Sequence, residues 1–408
     1  ITCRDWSSDV CSSDLDAKTG EPRGSGSGSS SRDGSVKIGY QSGRYSVGAA
    51  VDSFSTKYEV FTEPINLPPA LDITLNVPVT RRGKASVYIE SESPAPWIAR
   101  WRIDAHRQDW TRRFDSRMMF YEELGSPPTV TDYALETVVR NKQRTYGADV
   151  KAELDIGRHW VIAGLSVNDD DIGGTTKERR RYGTAPPMGL PAFESFRYDA
   201  GMRTAAAYLQ DEIEAGLRTT VYLGARAILV RSELRSCDDP DSAEPGRADD
   251  ARLTFSAGAT HRWTERVAAR ASVSQGYRHP NLTELFIGSP AHGGMPPIGP
   301  NPDLQPETSY NLEVGLKIAQ RQAMLDVALF YTQAADYIFY DSVQYLNIGG
   351  ARTAGIEAAA QYQTAGGATP YGSLTLMSKT LKYGSLFYVD RTQDAGLPAV
   401  EEIGRAHV

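Results

Sequence analysis

The 408-residue sequence has no run of about 18 consecutive apolar residues, so no segment predicts a membrane-spanning helix. Cysteine is scarce, with only 3 residues, and two of them, Cys3 and Cys11, lie in a terminal segment that we exclude below. Cys237 alone supports neither a disulfide framework nor a cysteine-based metal site. The net charge of -7 comes without a basic stripe, which argues against a nucleic-acid partner. Phosphate-binding Gly-Lys-Ser/Thr loops, His-Glu-x-x-His and Gly-x-Ser-x-Gly are also missing, so no enzyme is predicted.

The two ends of the chain carry an unusual relationship. DNA that encodes Glu402–Val408 has a complementary strand that translates as Asp9–Leu15. A protein has no physical reason to carry both strands of one DNA segment, and the pattern resembles translated sequencing-library adapter. We therefore expect residues 1–15 and 402–408 to be adapter-derived and exclude them from the fold prediction. Residues 16–34, rich in Gly, Ser and charge, predict a flexible loop.

What the chain has in abundance is alternation of apolar and polar residues with period two. Apolar residues occupy every second position of Val36–Tyr40 and again of Val267–Val273, where Arg270 and Ser272 lie on the other face. Such patterns are typical of β-strands, and about fifteen of them occur between residues 35 and 401. Short turns alternate with long connections, of which we expect three over residues 231–250, 276–308 and 336–351.

This combination favours an outer-membrane barrel with apolar residues toward lipid and polar residues toward the lumen. A soluble β-sandwich also alternates, but its loops have no reason to be long at one end only. The predicted fold is therefore all-β, a transmembrane antiparallel β-barrel over residues 35–401. Tryptophan and tyrosine near predicted strand ends suit the headgroup level, although ordinary core aromatics remain an alternative. These aromatics are Trp97, Trp101, Trp110, Trp160, Trp263, Tyr331 and Tyr362.

Four ordered boxes in the second half of the sequence carry a more specific signal. The first is Ser274–Phe286, with Tyr277-Arg-His-Pro280 followed by Glu284-Leu-Phe286. The others are Asn301-Pro-Asp-Leu-Gln-Pro-Glu307, Asn311–Leu316 with its following strand, and Asn347–Glu357. Together they resemble the boxes of TonB-dependent outer-membrane receptors, and they cover about a third of the chain.

The resemblance implies a 22-stranded barrel around an N-terminal plug, of which this chain would be the middle and C-terminal part, incomplete and with the plug absent. It implies energised uptake of a scarce ligand such as a ferric siderophore or haem, with no resident cofactor. The implied partners are the TonB energy-coupling protein, a small-molecule ligand, and outer-membrane lipid with lipopolysaccharide in a Gram-negative bacterium. A passive pore, and a receptor for cobalamin or another nutrient, remain as alternatives.

The same resemblance divides the candidate residues into two sets. The position of His292, between the first two boxes, resembles the position at which the haem-uptake branch of the family has an axial haem ligand. A neutral imidazole is chemically suited to bind ferric haem. The other candidate ligand-binding residues are His279, Tyr277, Arg278 and Met295. The residues that we expect to be structural parts of the motifs are Pro280, Glu284, Asn301, Pro302, Leu304, Pro306, Glu307, Gly355 and Glu357. Among these, the three prolines and Asn301 are expected to shape the loop over the barrel mouth. Arg278 is expected to pair with Glu284 or Glu307, and His292 as an ordinary solvated loop residue stays open.

Arginine clusters outside the boxes have two open interpretations. Arg179–Arg181, with Arg231 and Arg235, suits either an anionic siderophore or a lipopolysaccharide phosphate. Solvated surface arginines are the third interpretation.

Overall fold

The computed structural model describes residues 28–60, 70–124, 129–182, 192–289, 298–341, 343–383 and 386–389. Within these ranges the chain is β-structure with one π-helical turn, Thr283–Ile287. The strands are β1 Gly28–Ser42, β2 Tyr45–Val60, β3 Ala70–Ala95, β4 Ile98–Leu124, β5 Thr129–Ile156, β6 His159–Tyr182, β7 Phe193–Glu214, β8 Thr219–Cys237, β9 Gly246–Thr264, β10 Val267–Arg278, β11 Glu307–Ala319, β12 Ala323–Ala335, β13 Tyr337–Tyr340, β14 Tyr345–Ile348, β15 Gly350–Tyr362, β16 Tyr371–Tyr383 and β17 Leu386–Val389.

The strands form one large sheet and one small one. The large sheet has 15 strands in the order β1 to β12, then β15, β16 and β17, and β13 pairs with β14 in a separate hairpin. Every pairing is antiparallel between strands that follow each other in the sheet, which is the meander of an up-and-down barrel wall. The prediction of an all-β antiparallel fold is confirmed.

Apolar side chains form a continuous belt on one face of the large sheet. The register places Val150 opposite Leu165, Leu165 opposite Ala207, and Ala207 opposite Ala227, so apolar residues follow each other across strands. Their side chains are exposed in spite of their hydrophobicity: Leu165 is 58% and Leu229 59% exposed. A belt of this extent on the solvent side of a soluble protein would be an aggregation site, whereas in a bilayer it meets acyl chains.

The opposite face of the same strands is polar and carries ion pairs. Arg270 of β10 donates from Nε to Glu313 of β11 at 2.9 Å and from Nη1 to Asp326 of β12 at 2.8 Å. Its neighbours Ala269 and Ala271 point to the belt side, opposite Leu316 and Val314. The alternation that the sequence predicts for Val267–Val273 is therefore present, with the apolar face outward from the charged one.

The connections at the two ends of the strands differ in length, and we call these two rims of the sheet the short-turn edge and the long-loop edge. Short turns join β1 to β2, β5 to β6 and β9 to β10, while the connections β8–β9, β10–β11 and β12–β15 lie at the other edge. The exposed aromatics Trp97, Trp160, Trp263 and Tyr362 lie at the short-turn edge, as expected. Trp110 does not, because it pairs with Arg82 and Gln143 inside long strands.

Two predicted boundaries were wrong, because the strands extend further than expected. β3 is itself long and continues through Arg81–Gly83, where Arg82 donates to Asp52 on β2 at 2.9 Å. The connection expected over 231–250 is only 238–245, and β1 begins at Gly28, inside the segment 16–34 predicted as a flexible loop. Strands of 24 to 28 residues, such as β5 and β6, exceed the roughly 10 residues needed to cross a bilayer, so their upper parts lose apolar alternation and resemble loops in sequence.

Some predictions lie outside the described residues. The ends that we expect to be adapter-derived, residues 1–15 and 402–408, belong to this group, as do His292 and Met295. No helix among the described residues is long and apolar enough to cross a membrane.

Candidate functional site

The described parts of the β10–β11 connection, residues 279–289 and 298–306, and the β13–β14 hairpin fold onto the polar face of the sheet at its long-loop edge. Leu285 and Phe286 of the π-helical turn, exposed by 0% and 2%, pack with Leu304, Ile338 and Leu234 of β8. Ala200 of β7 completes this small core. It is the main hydrophobic cluster among the described residues, so these loops are held by burial of apolar surface rather than by the wall alone.

Arg278, at the end of β10, is bound to two carboxylates from different parts of the loop. Its Nη1 donates to both oxygens of Glu284 at 3.0 Å, and its Nη2 donates to Glu307 Oε1 at 2.8 Å. The two glutamates expected as alternatives are thus both partners. Paired carboxylates hold the arginine cationic and raise its pKa further above its ordinary value.

Both carboxylates also accept backbone hydrogen bonds, so the ion pairs fix the path of the chain. Glu284 accepts from the Asn281 amide at 2.8 Å, while the Glu284 amide donates to Asn281 Oδ1 at 3.0 Å. Glu307 accepts from the Ile338 amide at 2.7 Å, which ties the hairpin to the start of β11. We call Arg278, Glu284 and Glu307 with these amides the loop clamp.

The Asn301–Glu307 box continues the same anchoring. The Asn301 amide donates to the Glu284 carbonyl at 2.8 Å, and its side chain donates to the Tyr345 carbonyl at 3.0 Å. Leu304 inserts into the core, and Pro302 and Pro306 flank it in the segment without regular structure before β11. Proline fixes the backbone where no strand partner constrains it.

Asn347 also belongs to this network, although it was not among the predicted site residues. Its Nδ2 donates to the carbonyls of Gln305 and Asp336 at 2.9 and 2.6 Å, and its Oδ1 accepts from the Gln305 amide at 2.8 Å. An asparagine that binds backbone on both sides substitutes for missing strand pairing. Its position in an Asn-Ile-Gly-Gly sequence, before two turn-forming glycines, was the available signal.

Tyr277 and His279 have protein partners at this site. The Tyr277 hydroxyl donates to Asp250 of β9, and His279 Nε2 lies 3.0 Å from Ser232 Oγ of β8. His279 Nδ1 is buried without a hydrogen-bond partner among the described atoms. Burial lowers the pKa of His279 below its ordinary value, against the opposing charges of Asp250 and Glu284. Pro280 beside it is fully buried.

Gly355 and Glu357 lie in the sheet wall on β15, away from the clamp. A Cβ at Gly355 would lie 2.4 Å from the Phe330 ring and 2.5 Å from the Leu376 carbonyl oxygen, so glycine lets the aromatic ring cross the strand. Glu357 is exposed and lies opposite Ala328 and Thr375. The structure therefore brings Tyr277–Pro280, Glu284 and Asn301–Glu307 together at the loop clamp, whereas Gly355 and Glu357 lie away from it in the wall.

A cavity of about 600 Å³ opens between the folded loops and the upper parts of β5 to β8. Its lining includes Glu178, Tyr198, Cys237, Asp239 and Val343. Burial raises the pKa of Asp239 above its ordinary value, and the adjacent charges of Asp241 and Asp238 add to this. No group of three or more metal-ligating side chains occurs among the described residues.

A wall of long antiparallel strands, with an apolar outer belt, a charged inner face and loops packed over one rim, defines an outer-membrane barrel domain. Residues 22–402 match the family model described as TonB dependent receptor-like, beta-barrel. The chain belongs to the TonB-dependent receptor family.

Solved structures with similar folds include a metal transporter, a ferric-chelate receptor and a peptide importer. The structure titled Copper transporter OprC is 14% identical with a TM-score of 0.64, and the match covers 86% of this chain and 53% of that one. BauA, the ferric preacinetobactin receptor from Acinetobacter baumannii, is 13% identical with a TM-score of 0.53, covering 86% and 55%. The RagAB peptide importer is 10% identical with a TM-score of 0.52, covering 89% and 47%.

These identities show similarity of fold alone. The chain spans about half the length of these three solved structures. No curated protein matches the chain in sequence.

Proposed function

We propose that this chain is the wall and outer-loop part of an outer-membrane receptor that takes up a scarce ligand with energy supplied through TonB. The observation that carries the proposal is the packing of the β10–β11 connection and the β13–β14 hairpin onto the polar face, next to a cavity of about 600 Å³. Loops clamped over a wide lumen suit selective capture, whereas a passive pore needs an open path.

The ligand class that we propose is a ferric chelate or haem. The cavity lies in the size range of small-molecule sites, and its lining combines carboxylates with Tyr198 and Val343. The similar structures are those of a copper transporter, a ferric preacinetobactin receptor and a peptide importer, so fold similarity does not choose among ligands. Uptake assays must make that choice.

The candidate ligand-binding residues fall into two groups under this proposal. Tyr277, Arg278 and His279 each contact other protein groups, so we assign them to positioning the loop. His292 and Met295 remain the candidates for direct contact with a haem iron, because imidazole and thioether are both axial ligands.

The direct test is accumulation of a labelled ferric chelate by cells that produce the complete receptor, with and without TonB. Energised uptake predicts that accumulation above background is lost without TonB. Accumulation that persists at the same rate would support the passive pore and reject the proposal.

Haem is tested separately by spectroscopic titration of the receptor and its His292→Ala variant. We expect the substitution to shift the ferric haem absorption and weaken binding at least tenfold. The matched control is His261→Ala, since His261 lies at the short-turn edge and contacts Thr219 and Trp263. An unchanged spectrum in His292→Ala removes this residue from the site.

A further inference from the structure

A cationic patch lies on the outward face of the wall, above the apolar belt. Arg140 and Lys142 on β5 and Lys177 on β6 are exposed, and none of them forms an ion pair with a described residue. Arg113, Arg140, Lys177 and Arg197 line a shallow groove of about 450 Å³ together with Val138 and Thr175.

Strand register assigns this patch to the lipid side of the wall. Along β5, Arg140 and Lys142 have the same parity as the belt residues Tyr146, Ala148 and Val150. Residues of the other parity, such as Gln143 and Thr145, bond to Asp170 on the polar face. A ligand that moves through the lumen therefore does not meet the side chains of Arg140, Lys142 and Lys177.

The patch differs from the charged row directly above the belt, where charges are balanced. In that row Arg203 pairs with Asp169 at 3.0 Å and Arg231 with Asp249 at 3.0 Å. Higher on the wall, Arg113 lies directly opposite Arg140 across β4 and β5, and Arg113 alone has a carboxylate partner, Asp115 at 2.7 Å. Like charges opposite each other destabilise a sheet unless an anion lies between them.

Height above the belt identifies the kind of anion. Arg140 is six residues beyond Tyr146, roughly 20 Å along the strand and about 15 Å above the belt for a tilt near 40°. Lys142 and Lys177 extend the patch from about 10 to about 20 Å above the belt by the same estimate. A phospholipid headgroup layer is only about 5 to 8 Å thick on each side, so its phosphates lie below most of the patch.

We propose that Arg140, Lys142 and Lys177 bind the phosphorylated sugar headgroup of a glycolipid in the outer leaflet. The acyl chains of this glycolipid lie on the apolar belt below, and its phosphates reach the patch. The inference rests on the outer-membrane location in the proposed function, but not on TonB coupling or on the identity of the transported ligand.

The test is native mass spectrometry of the complete receptor in detergent, titrated with a bis-phosphorylated lipid A that carries phosphorylated core sugars. The variant is Arg140→Ser/Lys142→Ser/Lys177→Ser. Since each basic residue near an anionic lipid surface strengthens binding about fivefold, we expect affinity to fall on the order of 100-fold. The matched control, Arg158→Ser/Arg266→Ser/Arg321→Ser, removes three exposed cations from the short-turn edge, and its affinity should stay within threefold.

Three further measurements distinguish the alternatives. Arg140→Lys keeps the charge and should bind like the parent, which separates charge loss from misfolding. Phosphatidylglycerol and inositol hexakisphosphate should each bind at least tenfold more weakly than the glycolipid and lose little affinity in the triple variant. If either probe binds as tightly as the glycolipid and loses as much affinity in the triple variant, the proposal is overturned. Phosphatidylglycerol would then indicate a site for any anionic lipid, and inositol hexakisphosphate a site for a soluble polyanion.

A triple variant that binds the glycolipid within threefold of the parent would also overturn the proposal. Uptake of the transported ligand is measured in the same variants. If the parent binds the glycolipid but takes up no ligand, the proposed transport function is rejected while the glycolipid site stands.

Discussion

Removal of the Arg278 charge tests how the loops are held over the rim. In Arg278→Met the side chain keeps its length, but Glu284 and Glu307 lose their shared cation. Their side chains are only 11% and 15% exposed, so both carboxylates remain poorly solvated beside each other. Breaking a buried pair costs about 3 to 5 kcal/mol. Because Arg278 itself is 41% exposed, we reduce the expected cost to about 2 to 3 kcal/mol.

The assay is amide hydrogen exchange at Asn281 and Ile338, whose N–H groups donate to the two clamped carboxylates. A local cost of about 2 to 3 kcal/mol corresponds to exchange roughly 30- to 150-fold faster. Amides in the middle of β10 and β11 should keep their parent rates, since their ladder does not involve Arg278.

The matched control is Arg270→Met, which also removes two ion pairs, here to Glu313 and Asp326 in the wall. It should leave exchange at Asn281 and Ile338 unchanged. If Arg278→Met accelerates these amides by less than threefold, or Arg270→Met accelerates them equally, the clamp is not what orders the loops.

Three other predictions follow from the same site and its surroundings. Gly350→Ala should destabilise the fold by roughly 2 to 4 kcal/mol in thermal unfolding. At this position φ is +136°, and the new Cβ would lie 2.3 Å from the Ala334 carbonyl oxygen. Gly366→Ala is the control and should be neutral, because no atom lies near its new Cβ. Packing of His279 requires the neutral ring, so its contribution is complete above pH of about 6.5 and falls as pH drops below it. The protection factors of the loop amides, which are corrected for the intrinsic pH dependence of exchange, should therefore change less between pH 8 and 5 in His279→Asn than in the parent, and an equal change would contradict this. TonB deletion should abolish chelate accumulation, and accumulation independent of TonB would indicate a pore.

Alternation predicted the wall well because the lipid side imposes it directly. Apolar residues such as Val267 and Val273 recur with period two where the strand crosses the belt, so fold class and strand pairing follow from the sequence. Above the belt both faces are polar, and the pattern disappears. This is why the start of β1 was predicted as a flexible loop and why the connection between β8 and β9 was predicted too long.

The clamp was accessible from sequence only in part. Arg278, Glu284 and Glu307 are charged residues beside prolines, which indicated pairing, but not that both carboxylates share one arginine. The Ile338 amide and Asn347 come from a hairpin about 30 to 40 residues further along the chain, and no local pattern reports such a contact. The outward patch was missed for a similar reason, since Arg140 and Lys177 are neighbours only through strand register.

Single fluorescent labels at Leu165, Ser166, Leu229 and Val230 show directly whether the belt face meets acyl chains and the charged face meets water. The labelled proteins are placed in bilayers that contain either a brominated-lipid or an aqueous quencher. Labels at Leu165 and Leu229 should be quenched by brominated lipid, and labels at Ser166 and Val230 by the aqueous quencher. Equal quenching at both parities, or the reverse alternation, would contradict it.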